Sequence, residues 1–156
     1  MKIAEVMSRS PVCCEQTESL NRAVHQMWEH DYGALPVVNP KGERIGILTD
    51  RDACMAAYIQ GKKLDEITVG RVMSKTVYTC KADESLEDAE KLMGSRQIRR
   101  LPVVGTENRP VGMVSLNDIA RHASSVTAKT AYNRGLSETL AAICQPREVP
   151  AKTSIT

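Results

Sequence analysis

Two short stretches combine a hydroxyl with a carboxylate three residues later: Gly46-Ile47-Leu48-Thr49-Asp50-Arg51-Asp52 and Gly112-Met113-Val114-Ser115-Leu116-Asn117-Asp118. Each lies where a β-rich run gives way to a helical pattern, so the pair falls at a helix N-terminus. Free N–H groups and the helix dipole there attract phosphate, and a carboxylate can accept two hydrogen bonds from the vicinal hydroxyls of a ribose. Thr49/Asp52 and Ser115/Asp118 therefore carry the chemistry of a ribonucleotide clasp. They also carry the spacing of a capping box, in which the same groups satisfy the first backbone donors of their own helix. Arg99 and Arg100, with Arg96 nearby, suit a phosphate but read equally as a solvated cluster.

The other reactive residues form no centre. His25 and His30 are five apart on a helical segment, which does not put both rings on one face, and His122 stands alone, so no metal site is expected. Cys13, Cys14, Cys54, Cys80 and Cys144 are an odd number at irregular spacing, unlike a disulfide framework or a C-x-x-C motif. They read as core or surface thiols; a redox role for Cys13, Cys14 or Cys54 lacks an evident neighbouring base. No P-loop or dinucleotide-binding G-x-G-x-x-G occurs, and the chain is expected not to be an enzyme.

The elements that hold these residues are repeated. Laying Val6-Met7-Ser8 over Val72-Met73-Ser74 brings Ser19-Leu20 onto Ser85-Leu86, Met27 onto Met93, Leu35-Pro36-Val37-Val38 onto Leu101-Pro102-Val103-Val104, and Asp52 onto Asp118. The register holds without a gap at a shift of about 66 residues, the signature of a duplication. In the first copy Leu20, Ala23, Val24, Met27 and Trp28 recur at helical spacing after a Ser19 cap, predicting an amphipathic helix packed on a sheet. Ala34–Val38 and Arg44–Thr49 read as mostly buried strands joined through Asn39-Pro40-Lys41-Gly42, followed by a helix from Asp50 to about Gln60 with Gly61 as its stop. The second copy predicts a helix from Ser85, strands at Arg100–Val104 and Pro110–Ser115, and a helix from Leu116 to about Ala123. A polar connection after Ser124, a short helix from Ser137 to Cys144 ending before Pro146, and disordered last residues complete the expectation. Leu136, Leu140 and Ile143 are spaced to cover an edge of the body.

The fold class is thus α/β (α+β), with units at 1–62 and 63–124 and a C-terminal tail at 125–156. At 156 residues, two units of about 60 residues each must share a core, since one alone buries too little surface. The core is aliphatic, with Met as gap-filler, one Trp and no Phe. A net charge of +2 and few aromatics argue against nucleic-acid binding. With no signal-like start and no apolar run of about 20 residues, no membrane contact is expected, and a cytoplasmic location is.

The duplicated unit, with V-M-S, then h-P-V-V, then G-h-h-[ST]-x-x-D, resembles the CBS-domain family over about residues 1–124. The resemblance implies two β-α-β-β-α units packed about a pseudo-twofold axis, a Bateman module, with clefts that bind AMP, ADP, ATP or related adenosyl ligands such as S-adenosylmethionine or NAD. It implies a regulatory homodimer with a further, unidentified protein partner and no obligatory cofactor. Carried over residue by residue, Asp118 holds the ribose in one cleft, with the Ser115 hydroxyl and Arg99 or Arg100 near phosphate, and Thr49 and Asp52 match this pair in the other; an adenine nucleotide is expected to favour the Ser115/Asp118 cleft. Met7, Val12, Tyr32, Gly33 and Ala34 wall the adenine of the Ser115/Asp118 cleft. Small Gly33 and Ala34 leave a purine more room there than Arg99 and Arg100 leave in the other cleft. The competing reading is a ligand-free, stress-associated or scaffold dimer.

Overall fold

The computed structural model describes residues 1–125 and 129–143. The expected Cys144, the stop at Pro146 and the chain's last residues lie outside these. Its strands are β1 (Ser8–Arg9), β2 (Cys14–Glu15), β3 (Ala34–Val38), β4 (Arg44–Thr49), β5 (Arg100–Val104) and β6 (Pro110–Ser115). Its helices are α1 (Leu20–His30), α2 (Asp50–Gln60), α3 (Leu86–Arg96), α4 (Leu116–Ser125) and α5 (Lys129–Ile143). The predicted cap forms, with Ser19 Oγ accepting from the Arg22 N–H, and Gly61 ends α2 at φ +62°, a left-handed conformation that costs glycine little.

Two three-stranded sheets result, in the orders β2-β3-β4 and β1-β6-β5. The second order is the informative one, because β1 comes from the start of the chain and pairs antiparallel with β6 of the second repeat, Ser8 facing Met113 and Arg9 facing Gly112. The reciprocal bridge joins Ser74 to Ile47. The segment before each pairing crosses over as well. Ile3 is fully buried in the core of the second repeat with Leu86, Met93, Leu101 and Ile119, while Ile67 and Val69 are buried with Leu20, Leu35 and Leu48 in the first. Paired backbone bonds fix both arms: Ile3 N–H donates to Glu84 O at 3.0 Å and Val69 N–H to Glu18 O at 2.9 Å. The sequence repeats exchange arms, so each core is built from both. Glycine permits the close approach: a Cβ on Gly112 would stand 2.8 Å from the Met7 sulfur, and one on Gly46 would stand 2.6 Å from that of Met73.

The structure departs from the sequence reading in four places. Trp28 belongs to the expected apolar stripe but is 85% exposed; it sits roughly 100° around the helix from the buried line of Leu20, Ala23 and Met27. Strand β4 is not mostly buried but alternates, with Gly46 and Leu48 inside and its other residues partly exposed. The first strand of the second repeat shrinks to a single parallel bridge at Cys80. Finally, α4 runs to Ser125 and the last helix begins at Lys129, well before Ser137. Helix α5 covers α3 rather than a sheet edge, with Ala142 against Gly94 and with Thr139 and Ile143 buried, whereas Leu140 stays exposed.

Candidate functional site: two clefts between the repeats

Arm exchange places a hydroxyl-carboxylate pair from one repeat opposite the strand-entry residues of the other. The first cleft, about 270 Å³, is lined by Ser115, Asn117, Asp118 and Arg121 on one side and by Pro11, Val12, Tyr32, Gly33 and Ala34 on the other, with Ser8 and Arg100 at its edges. The second, about 620 Å³, is lined by Thr49, Asp50, Arg51 and Asp52 against Val77, Tyr78, Ile98, Arg99 and Arg100. Ten of the eleven anticipated site residues therefore line one cleft or the other. Met7 does not, because its thioether is packed beneath Gly112.

Both carboxylates form the capping box. Asp52 Oδ2 accepts from Thr49 N–H at 3.0 Å while Asp52 N–H donates to Thr49 Oγ1 at 3.1 Å. Asp118 Oδ2 likewise accepts from Ser115 N–H at 2.9 Å and from its hydroxyl at 2.5 Å. The second oxygens differ. Asp118 Oδ1 accepts from Arg121 and, at 3.4 Å, from Ser8 Oγ, and its side chain is 6% exposed. Among the described residues Asp52 Oδ1 has no partner, because position 55 is Met where Arg121 stands and because the Ser74 hydroxyl turns to Thr76 O. A capping carboxylate with one oxygen left over can still accept from a ligand hydroxyl.

Arg100 overturns the expected difference in space. A Cβ on Gly33 would lie 2.6 Å from Arg100 Nη2 and 3.2 Å from Asp50 Oδ2, so the room that glycine leaves in the first cleft is taken by a guanidinium from the other repeat. In the second cleft three arginines, Arg51, Arg99 and Arg100, face two carboxylates, and no carboxylate among the described residues pairs with Arg99 or Arg100. The lining favours an anion.

The apolar walls are exchanged versions of each other. The first cleft offers Val12 and Tyr32, with His30 stacked on Tyr32 at 5.7 Å between ring centroids. The second offers Tyr78 and Ile98, with Arg96 standing 4.7 Å over the Tyr78 ring. Each holds one aromatic and one aliphatic wall for a flat base. Tyr78 and Ile98 were not among the anticipated residues, although shifting Val12 and Tyr32 by the repeat interval points to them. Arg121 was also missed; its signal is position i+3 from Asp118 on one helix face. Ser8 could not have been found without the arm exchange.

Among the described residues no thiol lines either cleft. Burial, aided by nearby Glu18, pushes Cys14 up to about 12, and burial with Glu84 does the same to Cys80. Burial also raises Cys13, whereas Cys54 is exposed on α2. Among the described residues no three His, Cys, Asp or Glu side chains gather as a metal set, and no helix is long and apolar enough to cross a membrane.

Two repeated units that trade arms around twin clefts define a CBS domain pair. The family model for the CBS domain matches residues 3–58 and 69–125, and the chain belongs to that family. It is 36% identical over 119 residues to the uncharacterized protein MK0525 of Methanopyrus kandleri, covering 76% of this chain but 61% of that one. It is 35% identical to hypoxic response protein 1 of Mycobacterium tuberculosis, covering 76% and 82% of the two chains. Among solved structures, the CBS domain pair of protein MJ0100 in complex with 5′-methylthioadenosine and S-adenosyl-L-methionine superposes with a TM-score of 0.71 at 29% identity, over 78% of this chain and 98% of that one. Hypoxic Response Protein I with two coordinated zinc ions superposes at 0.70 and 34% identity, with the same coverage.

Proposed function

We propose that this chain is a regulatory, non-catalytic sensor of adenine nucleotides, and that the second cleft is its primary site. The observation that carries this reading is Asp52 Oδ1, which has no partner among the described residues, in a cavity of about 620 Å³ that also presents Tyr78, Ile98 and two arginines that no described carboxylate pairs. Asp52 accepts the ribose hydroxyls, Thr49 and the N-terminus of α2 face the ligand's polar side, Tyr78 and Ile98 hold the adenine, and Arg99 with Arg100 takes the phosphate. The volume suits a nucleotide-sized ligand, within the roughly 300–1,000 Å³ usual for such pockets.

Charge selects within the adenosyl class. A sulfonium ligand such as S-adenosylmethionine would meet three guanidinium groups, so AMP, ADP or ATP is favoured over it. The Ser115/Asp118 cleft, with Val12, Tyr32, Gly33 and Ala34, is a second adenosyl site whose base side requires Arg100 to withdraw, while the Arg121–Asp118 pair lies on its ribose side. Binding regulates only through a difference in affinity between two arrangements of the repeats.

Self-association through the first repeat's helices belongs to the same reading. Trp28, Met55, Tyr58 and Ile59 are exposed on α1 and α2 beside a groove of about 780 Å³, whereas α5 covers the matching face of α3. That face is also what supports the alternative of a ligand-free dimer that acts by protein contact. A thermal-shift panel of AMP, ADP, ATP, NAD, S-adenosylmethionine and adenosine separates the two. At a hundredfold excess over Kd a nucleotide stabilises the fold by about 2.7 kcal/mol; if none shifts the midpoint, the ligand-free dimer stands instead.

A further inference from the structure

Arg100 lines the first cleft, the second cleft and the groove on α1 and α2. Its backbone opens β5 at the mouth of the second cleft, yet its guanidinium fills the space in front of Gly33, where the first cleft would take a base. It makes no ion pair among the described residues; the Asp50 carboxylate borders the same space, and Asp31 and Asp118 line the first cleft with it. Resting on the nucleotide reading above, we propose that Arg100 is a gate between the clefts: phosphate bound in the second cleft draws the guanidinium away from Gly33 and opens the first cleft to a second adenine.

The repeat shows why the gate exists on one side only. Position 34, which matches position 100, is Ala; it borders the second cleft but carries no cation to place there as Arg100 does in the first. The structural order of filling is therefore second cleft first, while the coupling free energy is shared by both ligands. A first ligand that removes the closed population lowers the apparent Kd of the second, which is positive cooperativity. The gate also discriminates: a ligand without phosphate in the second cleft gives Arg100 no reason to leave.

Adenosine is the probe, because it is uncharged and gains nothing electrostatically when an arginine is deleted. In an Asp52→Ala background, which weakens the second cleft about tenfold or more, calorimetry should show adenosine binding the first cleft at least about tenfold more tightly once Arg100→Ala is added. Alanine is what the first repeat carries at the matching position, so the fold accommodates it; an unchanged thermal midpoint checks this. In the unmutated chain, saturating pyrophosphate should likewise strengthen adenosine binding at the first cleft, and Arg100→Ala should abolish that effect. Equal or weaker adenosine binding in the double variant overturns the gate while leaving the nucleotide reading intact. If neither adenosine nor ADP binds any of these proteins, the nucleotide reading fails, and the gate falls with it.

Discussion

The two clefts descend from one sequence and share one backbone plan, yet their carboxylates have been put to different uses. Asp118 is buried and accepts from Ser115, Ser8 and Arg121, which ties α4 to its own strand and to the arm from the other repeat. Among the described residues Asp52 makes the cap alone and keeps an oxygen to spare. A duplicated motif thus serves the fold at one end of the molecule and is left available for a ligand at the other. Two exchanges make the difference: Arg121 stands where the first repeat has Met55, and the Ser8 hydroxyl reaches Asp118 where that of Ser74 turns to Thr76 O.

The largest expected effect that tests this contrast is on stability. Removing Asp118 strips a buried site of a charge-assisted acceptor and a cap, so Asp118→Ala should lower unfolding free energy by about 2–3 kcal/mol, against about 1 kcal/mol for Asp52→Ala. Urea unfolding of both variants measures it, and equal losses would erase the distinction. Next comes the base wall. Stacking on an aromatic contributes about 1–3 kcal/mol per base, so Tyr78→Ala should weaken ADP binding by about tenfold or more, whereas Tyr32→Ala should leave the first ADP bound nearly as before.

The core offers the opposite expectation, since there the repeats remain twins. Cys14 and Cys80 occupy matching positions and are both pushed up to about 12 by burial. A raised thiol pKa means the folded state holds its proton where the unfolded chain has lost it, so this contribution is intact below about pH 9 and is lost as pH rises toward 12. Stability should fall across that window, and a Cys14→Ala/Cys80→Ala variant should show a flatter decline. At pH 8 an alkylating reagent should modify the exposed Cys54 and spare both buried thiols. The smallest effect is expected from Arg121→Met, which copies the first repeat's residue. With the arginine side chain 76% exposed, its ion pair should cost at most about 1 kcal/mol to remove.

The duplication, the strands from Ala34 and Arg100, the caps at Ser19 and Ser85 and both hydroxyl-carboxylate pairs were legible because each depends on spacing along one element. What was hidden depends on long-range contact. No periodicity shows that Ile3 is buried in the second core or that Ser8 reaches Asp118 across 110 residues. The size of the clefts was misjudged for a related reason: residue volume at Gly33 was read correctly, but a long flexible side chain from Arg100 fills space far from its own Cα. Helix α5 was underestimated because polar residues precede its apolar positions.

The most direct test of the account is calorimetric titration of ADP into the unmutated chain, Asp52→Ala and Asp118→Ala, each first shown to be folded. Loss of a charge-assisted acceptor is worth about 1.5–3 kcal/mol, so Asp52→Ala should weaken the tighter site roughly tenfold to a hundredfold, and Asp118→Ala should leave that site nearly unchanged. The reverse pattern, or equal losses in both variants, would contradict the assignment of the second cleft as the primary site.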